Sequence, residues 1–365
     1  MTLYVNKVTS FLIKPPEDIM LLFKLFNYEV SDQAFLYGVF GTVISVFLLL
    51  DLGFFNKKAH KISTKSALYQ SIFWIVISTI FGFLVYKMGP FYVEEAGVVK
   101  TVSGFDAMVE YYSAYLTEYA LSVDNIFVIL LILKYFKVKE EYFHKVLFWG
   151  ILGAVVFRGI FIFVGAIIIH HFHAILYVFG VFLIYSGIKI YFEDGEEKID
   201  PEKNPILKFC RKYLPISKDD MGGKFVAKVG GKWMFTPLFL VIVLIETTDL
   251  IFAVDSIPAA FAITTNEFII YTSNIFAVMG LRAMFFLLSG VIDKFYLLQK
   301  GLSVILFFIG AKMLLEMGRG YDVLPEMLTD LPPTISFAII IVTLTLSIVL
   351  SILVPRKHKE SDELK

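Results

Sequence analysis

Long apolar segments separated by short polar loops are the feature that most limits the folds open to this chain. Because lipid offers the backbone no hydrogen-bond partners, apolar segments of about 20 residues are expected to cross a bilayer as α-helices. They lack the alternating pattern of a transmembrane β-barrel. We predict about nine such segments, at 34–54, 68–87, 107–133, 145–169, 174–192, 235–263, 267–291, 301–316 and 334–354. The sequence therefore predicts an all-α polytopic membrane protein.

Composition supports this class and excludes others. Hydrophobic residues make up 58% of the 365 positions and charged residues 18%, whereas a soluble domain carries about 25% charged residues. The formal net charge is zero, which gives no reason to expect nucleic-acid binding. The single cysteine, Cys210, is expected in a polar loop and excludes internal disulfides and a thiolate metal site. No nucleophile triad, P-loop or zinc-peptidase motif is present, so we expect neither an enzyme nor a bound cofactor.

The basic residues predict the orientation. Lysine and arginine concentrate in the loops after the first, third, fifth and seventh segments and in the tail, while the intervening loops are poorer in them. Because basic loops stay in the cytoplasm, we expect the N-terminus outside, the C-terminus inside and an odd number of spans. Residues 1–33 mix Lys, Pro and acids with short apolar pieces, so no cleavable signal is expected.

This orientation divides the chain into seven parts. They are an extracytoplasmic segment (1–33), the first two transmembrane helices (34–106), a three-helix repeat A (107–192), a cytoplasmic loop (193–234), a three-helix repeat B (235–316), an outer loop with the last helix (317–354) and a cytoplasmic tail (355–365).

Acidic residues lie inside two of the apolar segments. Segment 235–263 contains Glu246, Asp249 and Asp255, and segment 107–133 contains Glu118 and Asp124. Aligning Glu118 with Asp249 also aligns Asp124 with Asp255. A charge at membrane depth costs at least a few kcal/mol, so repeated intramembrane acids indicate function.

The repetition continues beyond the acids. Arg158 in the fourth segment corresponds to Arg282 in the seventh, and the pattern Gly-x-Lys-x-x-x-Glu begins at both Gly187 and Gly310. Because each copy spans three segments, an odd number, the two copies must face opposite ways. Inverted repeats of this kind form many secondary transporters, whose sites lie near the midplane between the copies. The alternative is a duplication with a purely structural role.

Helix geometry limits how the acids can meet. Six residues separate Glu118 from Asp124, which places them about 120° apart on a continuous helix, so they could border one cavity without stacking. Pro258 removes the hydrogen bond to the carbonyl of Val254, and we expect it to kink or break its helix and free that oxygen. Glu246 and Asp249 are three residues apart and share a face.

Carboxylates with neighbouring amide and hydroxyl oxygens are the ligands that Mg²⁺, Ca²⁺ and Mn²⁺ prefer. A proton path is the closest rival, because buried acids also carry protons. The candidate metal ligands are Asp51, Glu118, Asp124, Asn125, Glu246, Asp249, Asp255 and Ser256. Asp51, at the end of the first segment, is either a helix-end acid or a pathway residue. The expected partners are a divalent cation and membrane lipid, and the sequence indicates no particular protein partner.

Basic residues at depth have two interpretations. Arg158 and Arg282 are either counter-charges that occupy the acids when the cation is absent or structural partners in buried ion pairs. Lys189 and Lys312 lie near the ends of their segments, and we expect them to extend to the interface. His170, His171 and His173 are expected to form a hydrated interfacial turn rather than a metal site.

At this point the motifs resemble a known family. The stretches at 118–128 and 246–259, together with 280–284 and 50–53, are similar to the signatures of the TerC family and of the Alx-like manganese exporters within it. The resemblance implies a multi-span bacterial inner-membrane protein, related in fold to LysE-type exporters, that moves Mn²⁺ out of the cytoplasm. The choice of Mn²⁺ over Ca²⁺ comes from this resemblance alone.

The family is also associated with tellurium resistance and with metal loading of exported proteins. The alternative function is therefore a membrane scaffold or assembly factor whose acids form structural ion pairs. Such a scaffold needs a base for each acid, and Arg158 and Arg282 are the bases that the sequence places at depth. This surplus of acids favours a cation exporter.

Overall fold

The computed structural model describes residues 32–54, 63–95, 98–192, 204–217, 219, 221–289, 296–317 and 331–354. Helices dominate this part of the chain. They are α1 Asp32–Phe54, α2 Thr64–Met88, α3 Gly104–Tyr135, α4 Glu140–His171, α5 Ile175–Phe192, α6 Pro205–Tyr213, α7 Pro237–Ile263, α8 Glu267–Leu288, α9 Tyr296–Met317 and α10 Pro333–Leu353. The strands are β1 Phe91–Glu95, β2 Val98–Val102, β3 Val226–Val229 and β4 Lys232–Phe235.

Eight of the described helices, α2 to α5 and α7 to α10, are long and apolar enough to cross a membrane. This confirms an all-α polytopic membrane fold. Helix α1 coincides with the first predicted segment, but its described apolar part, Phe35–Leu49, is shorter than the other eight. Helix α9 begins five residues before the predicted segment at 301, which brings it to spanning length.

Two β-hairpins outside the spans were not predicted. Strands β1 and β2 pair antiparallel between α2 and α3, and β3 and β4 pair antiparallel just before α7. The β3–β4 turn is made by Gly230 and Gly231, whose φ angles of +56° and +82° match a type I′ turn.

The short helix α6 corrects one prediction. Cys210 lies on this helix rather than in a polar loop, and it is buried with Leu207 in an apolar cluster with residues of α3, α4 and α7. Asn204 caps the helix by accepting hydrogen bonds from Ile206 N and Leu207 N at 2.8 and 3.2 Å.

Helix α8 lies at the centre of the bundle. Of the most apolar 18-residue stretch of α8, 89% is buried, compared with 22% for α10. Helix α8 packs on α2, α3 and α4. A helix that is apolar on all sides must be enclosed by protein or by lipid. In α8 the enclosure is protein, whereas α10 leaves most of its surface for lipid.

The packing between the repeats has an internal symmetry. Helix α3 packs on α7, α4 on α8 and α5 on α9, while α3 with α8 is matched by α4 with α7. At the α5–α9 contact, a Cβ built at Gly187 would lie 2.7 Å from the carbonyl oxygen of Ser303, and one built at Gly310 would lie 2.7 Å from that of Gly180. When the repeats are aligned, Gly180 corresponds to Ser303 and Gly187 corresponds to Gly310. Exchanging the two repeats therefore converts one of these contacts into the other. This packing supports the inverted repeat, which stays a prediction, as does the orientation of the chain ends.

Candidate functional site

A buried ion pair joins the two repeats. Arg158 of α4 donates Nη1 to Oε1 of Glu118 on α3, and Nη2 to Oδ1 of Asp249 on α7 at 3.2 Å. Nη1 also donates to Oδ1 of Asn274 on α8 at 2.9 Å. All four side chains are buried. We call these four residues, with Asn125, the central cluster.

The helix period explains why these residues meet. Glu118, Ser122 and Asn125 are spaced i, i+4, i+7 on α3 and therefore share one face. From that face Asn125 Nδ2 donates to Oδ1 of Asp249 at 2.8 Å. On α7, Asp249 and Ser256 have the i, i+7 spacing of Glu118 and Asn125. They therefore share one face of α7, which is turned toward α3.

The polar faces of α3 and α7 that meet at the central cluster show the same symmetry as the helix packing. Ser256 lies close enough to interact with the Glu118 carboxylate, although its hydroxyl has no hydrogen bond of regular geometry. Since Asn125 corresponds to Ser256 and Glu118 to Asp249, the Ser256–Glu118 contact is the counterpart of the Asn125–Asp249 hydrogen bond. The central cluster therefore lies where the pseudo-twofold axis would pass.

Several buried oxygen atoms around the central cluster have no hydrogen-bond partner among the described residues. Both donors to Asp249 use Oδ1, so its Oδ2 is uncommitted. The same holds for Asn125 Oδ1, Ser256 Oγ and Glu246 Oε2. Buried polar atoms normally have hydrogen-bond partners. This concentration of side-chain oxygens without partners therefore indicates a place where a group that binds oxygen ligands could be accommodated.

Glu246 lies one turn before Asp249 on the same face of α7, as predicted. The two carboxylates interact electrostatically. The Glu246 carboxylate lies directly against the backbone of Gly153 on α4, at a position that a Cβ on Gly153 would overlap. Glu246 is half-buried, whereas Asp249 is 6% exposed.

Asp255 lies on a different side of α7 from Asp249. It accepts a hydrogen bond from Ser186 Oγ of α5 at 2.9 Å and is within the electrostatic reach of Lys189. Helix α7 continues without interruption through Pro258, so the expected break is absent and Asp255 stays about 120° from Asp249. Lys189 is exposed and also acts electrostatically on Asp255, and its extension to the interface stays a prediction.

The remaining predicted residues are less central. Asp124 and Arg282 are half-buried and both interact with neighbouring groups. Asp51 lies near the end of α1, but its side chain is outside the described residues. Their roles in binding a cation stay predictions, as do those of the other candidate ligands. In the described part of the chain, no three His, Cys, Asp or Glu side chains are grouped as a ready metal site.

Two other predictions can be compared with the structure. Lys312 is buried and pairs with Glu316 at 3.3 Å, so it does not extend to the interface as expected. His171 and His173 place Nδ1 at 3.0 and 3.4 Å from the carbonyl oxygens of Ile167 and Ile169. This local pairing agrees with a helix-end turn rather than a metal site.

Sequence reasoning missed three residues that shape the site. Asn274 was detectable, because it ends a polar run, Thr272-Ser273-Asn274, within an apolar segment. Ser186 and Gly153 had no such signal. Their importance depends on which helix packs against them.

Comparisons with known proteins agree with this architecture. Residues 103–359 match the integral membrane protein TerC family. An uncharacterized membrane protein of Myxococcus xanthus is 39% identical over 328 residues, which cover 90% of this chain and 95% of that protein. An uncharacterized membrane protein of Rickettsia prowazekii (strain Madrid E) is 40% identical over 86% of this chain and 98% of its own length.

A named relative is also similar. Alx of Escherichia coli (strain K12), whose name suggests a membrane-bound redox modulator, is 40% identical over 77% of this chain and 85% of its own length. No solved structure matches this chain. The family match, these relatives and the eight apolar helices show that the chain is a multi-pass bacterial inner-membrane protein that belongs to the TerC family.

Proposed function

We propose that this protein exports divalent metal cations from the cytoplasm, with Mn²⁺ as its substrate. One observation carries the proposal. Glu118 and Asp249, one acid from each predicted repeat, meet at one buried point and share a single guanidinium, that of Arg158. A buried charge is retained only when it is compensated, so this point is built to hold a cation.

The charge balance favours a divalent cargo. Two carboxylates and one guanidinium leave these three side chains with a net charge of −1. Replacing the guanidinium by a divalent cation would make the total zero, whereas a monovalent cation would leave it unchanged. Arg158 would then be an internal counter-charge that holds the acids together until the cargo displaces it.

The available ligands favour a hard cation. Asp249 Oδ2, Asn125 Oδ1 and Ser256 Oγ are buried oxygens that find no hydrogen-bond partner in the described part of the chain. Oxygen ligands suit Mg²⁺, Ca²⁺ and Mn²⁺. The choice of Mn²⁺ among these rests on the resemblance to manganese exporters. The symmetric packing of the repeats supports transport by alternating access around a midplane site.

The test removes one central carboxylate at a time. Glu118→Gln and Asp249→Asn nearly keep side-chain volume but remove a charge and a ligand, so Mn²⁺ export should be lost. Glu141→Gln makes the same chemical change at an exposed acid in the first turn of α4 and should export normally. The measurement is Mn²⁺ retained by preloaded cells at matched abundance of each variant in the membrane. Normal export by both central variants would refute the proposal.

The alternative is a membrane scaffold or assembly factor for tellurium resistance or metal loading. Lys189 beside Asp255 favours it, because this acid has a basic neighbour that the sequence did not predict. The two functions differ in whether the protein moves metal by itself. Purified protein in liposomes should transport Mn²⁺ if it is an exporter, whereas a scaffold alone would show no flux.

A further inference from the structure

Asp249 uses its two carboxylate oxygens differently. Asn125 and Arg158 both donate to Oδ1, at 2.8 and 3.2 Å. Oδ2 is buried and has no hydrogen-bond partner among the described residues. One side of this carboxylate is therefore open to a further ligand while Arg158 is still bound.

Glu246 presents a second uncommitted oxygen, one helical turn away. Its Oε2 is also buried, with no hydrogen-bond partner in the part of the chain that the structure describes, and Glu246 shares a helix face with Asp249. Because Glu246 is half-buried and Asp249 is 6% exposed, the two acids lead from a more accessible position to an enclosed one. Glu246 is also closer to the end of α7 that follows the basic loop, which is the predicted cytoplasmic side.

Gly153 determines where the Glu246 carboxylate can lie. A Cβ at this position would overlap the carboxylate carbon and both oxygens. Gly150, one turn earlier on α4, faces the same helix but meets a different group, because a Cβ there would lie 3.1 Å from Cγ2 of Ile245. The absence of a side chain at Gly153 thus makes room specifically for a carboxylate.

We propose that Glu246 Oε2 and Asp249 Oδ2 form a loading site that receives a divalent cation from the cytoplasm before Arg158 leaves the central cluster, and that Gly153 is the residue that positions it. This inference rests on the proposed function. The cation is held first by the two free oxygens, and its charge then weakens the attraction between Asp249 and the Arg158 guanidinium. The central cluster opens only after the cargo has arrived, so two buried acids are never left without a cation.

The experiment measures equilibrium binding rather than transport. Purified protein is titrated with Mn²⁺, and the free ion is followed by its electron paramagnetic resonance signal. Gly153→Ala displaces the carboxylate and should weaken Mn²⁺ binding by about 10- to 100-fold, as expected when the support of a metal ligand is changed. Gly150→Ala also adds a methyl group between α4 and α7 but should leave binding unchanged.

A second change tests positioning directly. In Gly153→Ala/Glu246→Asp the shorter side chain no longer meets the new methyl group, so binding should recover. Glu246→Gln in the parent keeps the packing and removes the charge, so it should lose binding even if Gly153→Ala is too unstable to purify.

The outcomes separate the two proposals. Normal binding by Gly153→Ala, equal losses in Gly150→Ala and Gly153→Ala, or normal binding by Glu246→Gln would overturn the loading site and leave the exporter proposal standing. A parent protein that binds no Mn²⁺ would overturn both.

Discussion

Arg158 offers the sharpest test of how the central cluster works. Its side chain is 2% exposed and is bound by Glu118, Asp249 and Asn274. Arg158→Met replaces it with a flexible apolar chain that adapts to the space available. The change removes the positive charge, while both carboxylates stay buried.

The expected loss of stability is large. Removing one partner of a buried ion pair costs about 3–5 kcal/mol, because the remaining charge is uncompensated. At about 2–4 °C per kcal/mol for a chain of this size, Tm should fall by roughly 6–20 °C. A saturating cation should reverse much of this loss, since a ligand at 100 times its Kd stabilises the folded state by about 2.7 kcal/mol. Without the competing guanidinium, the rise in Tm with Mn²⁺ should be larger in Arg158→Met than in the parent.

The chain contains its own reporter for the assay. Cys210 is the single cysteine and is buried in α6, so a thiol-reactive fluorophore labels it when the surrounding structure opens. Gel filtration of heated samples, run in parallel, shows whether the whole protein unfolds at the same temperature. Both measurements are made with and without Mn²⁺.

A neutral version of the central cluster is the matched control. Glu118→Gln/Arg158→Met/Asp249→Asn leaves no uncompensated charge, so its Tm should return close to that of the parent, and Mn²⁺ should have no effect. Equal Mn²⁺ responses in the parent and in Arg158→Met would show that the guanidinium does not compete with the cation. The ion pair would then be structural, as the scaffold alternative requires.

Three further predictions concern the repeats and the chain ends. Gly187→Ala should lower Tm, because the added methyl group forces α5 away from the backbone of α9 and overpacking costs about 1–3 kcal/mol. Gly38→Ala is the control and should leave Tm unchanged, since a Cβ there meets nothing within 4 Å. Equal Tm values for the two variants would contradict the close contact at Gly187. Asp124→Asn and Asp255→Asn should each abolish Mn²⁺ export at normal membrane abundance, while His171→Ala should keep it. The measurement is the Mn²⁺ retained in loaded cells. Export by either Asn variant would restrict the cation path to the central cluster and the loading site. Reporter fusions should place the C-terminus in the cytoplasm and the N-terminus outside, and both ends on one side would contradict the odd number of spans.

The sequence was sufficient for the class of fold and for the charged residues that meet in the central cluster. An apolar segment that carries charged residues is costly in lipid, so its acids stand out without any structure. Glu118, Asp249 and Arg158 were all selected on this basis, and all three lie in the central cluster. Helix periodicity also placed Glu246 and Asp249 on one face, because that relation depends on local geometry alone.

Relations between helices could not be obtained in this way. The sequence did not indicate which of the acids meet, whereas the structure brings together Glu118 and Asp249 and places Asp255 beside Ser186. Pro258 was expected to kink or break its helix, and α7 continues through it without a break. A proline in a buried helix can be accommodated when neighbouring helices enclose it, and Pro258 is buried.

By itself, then, the sequence determined a multi-pass helical membrane protein, two related sets of three helices and the acids and arginines inside them. These follow from spacing along one chain and from the cost of charge in lipid. The tertiary structure alone decided that Arg158 is shared by two acids, that Asn274 accepts a hydrogen bond from it, that Lys189 acts electrostatically on Asp255 and that Gly153 makes room for Glu246. Each of these depends on which faces of different helices meet, and that is determined by packing over the whole bundle rather than by any one segment.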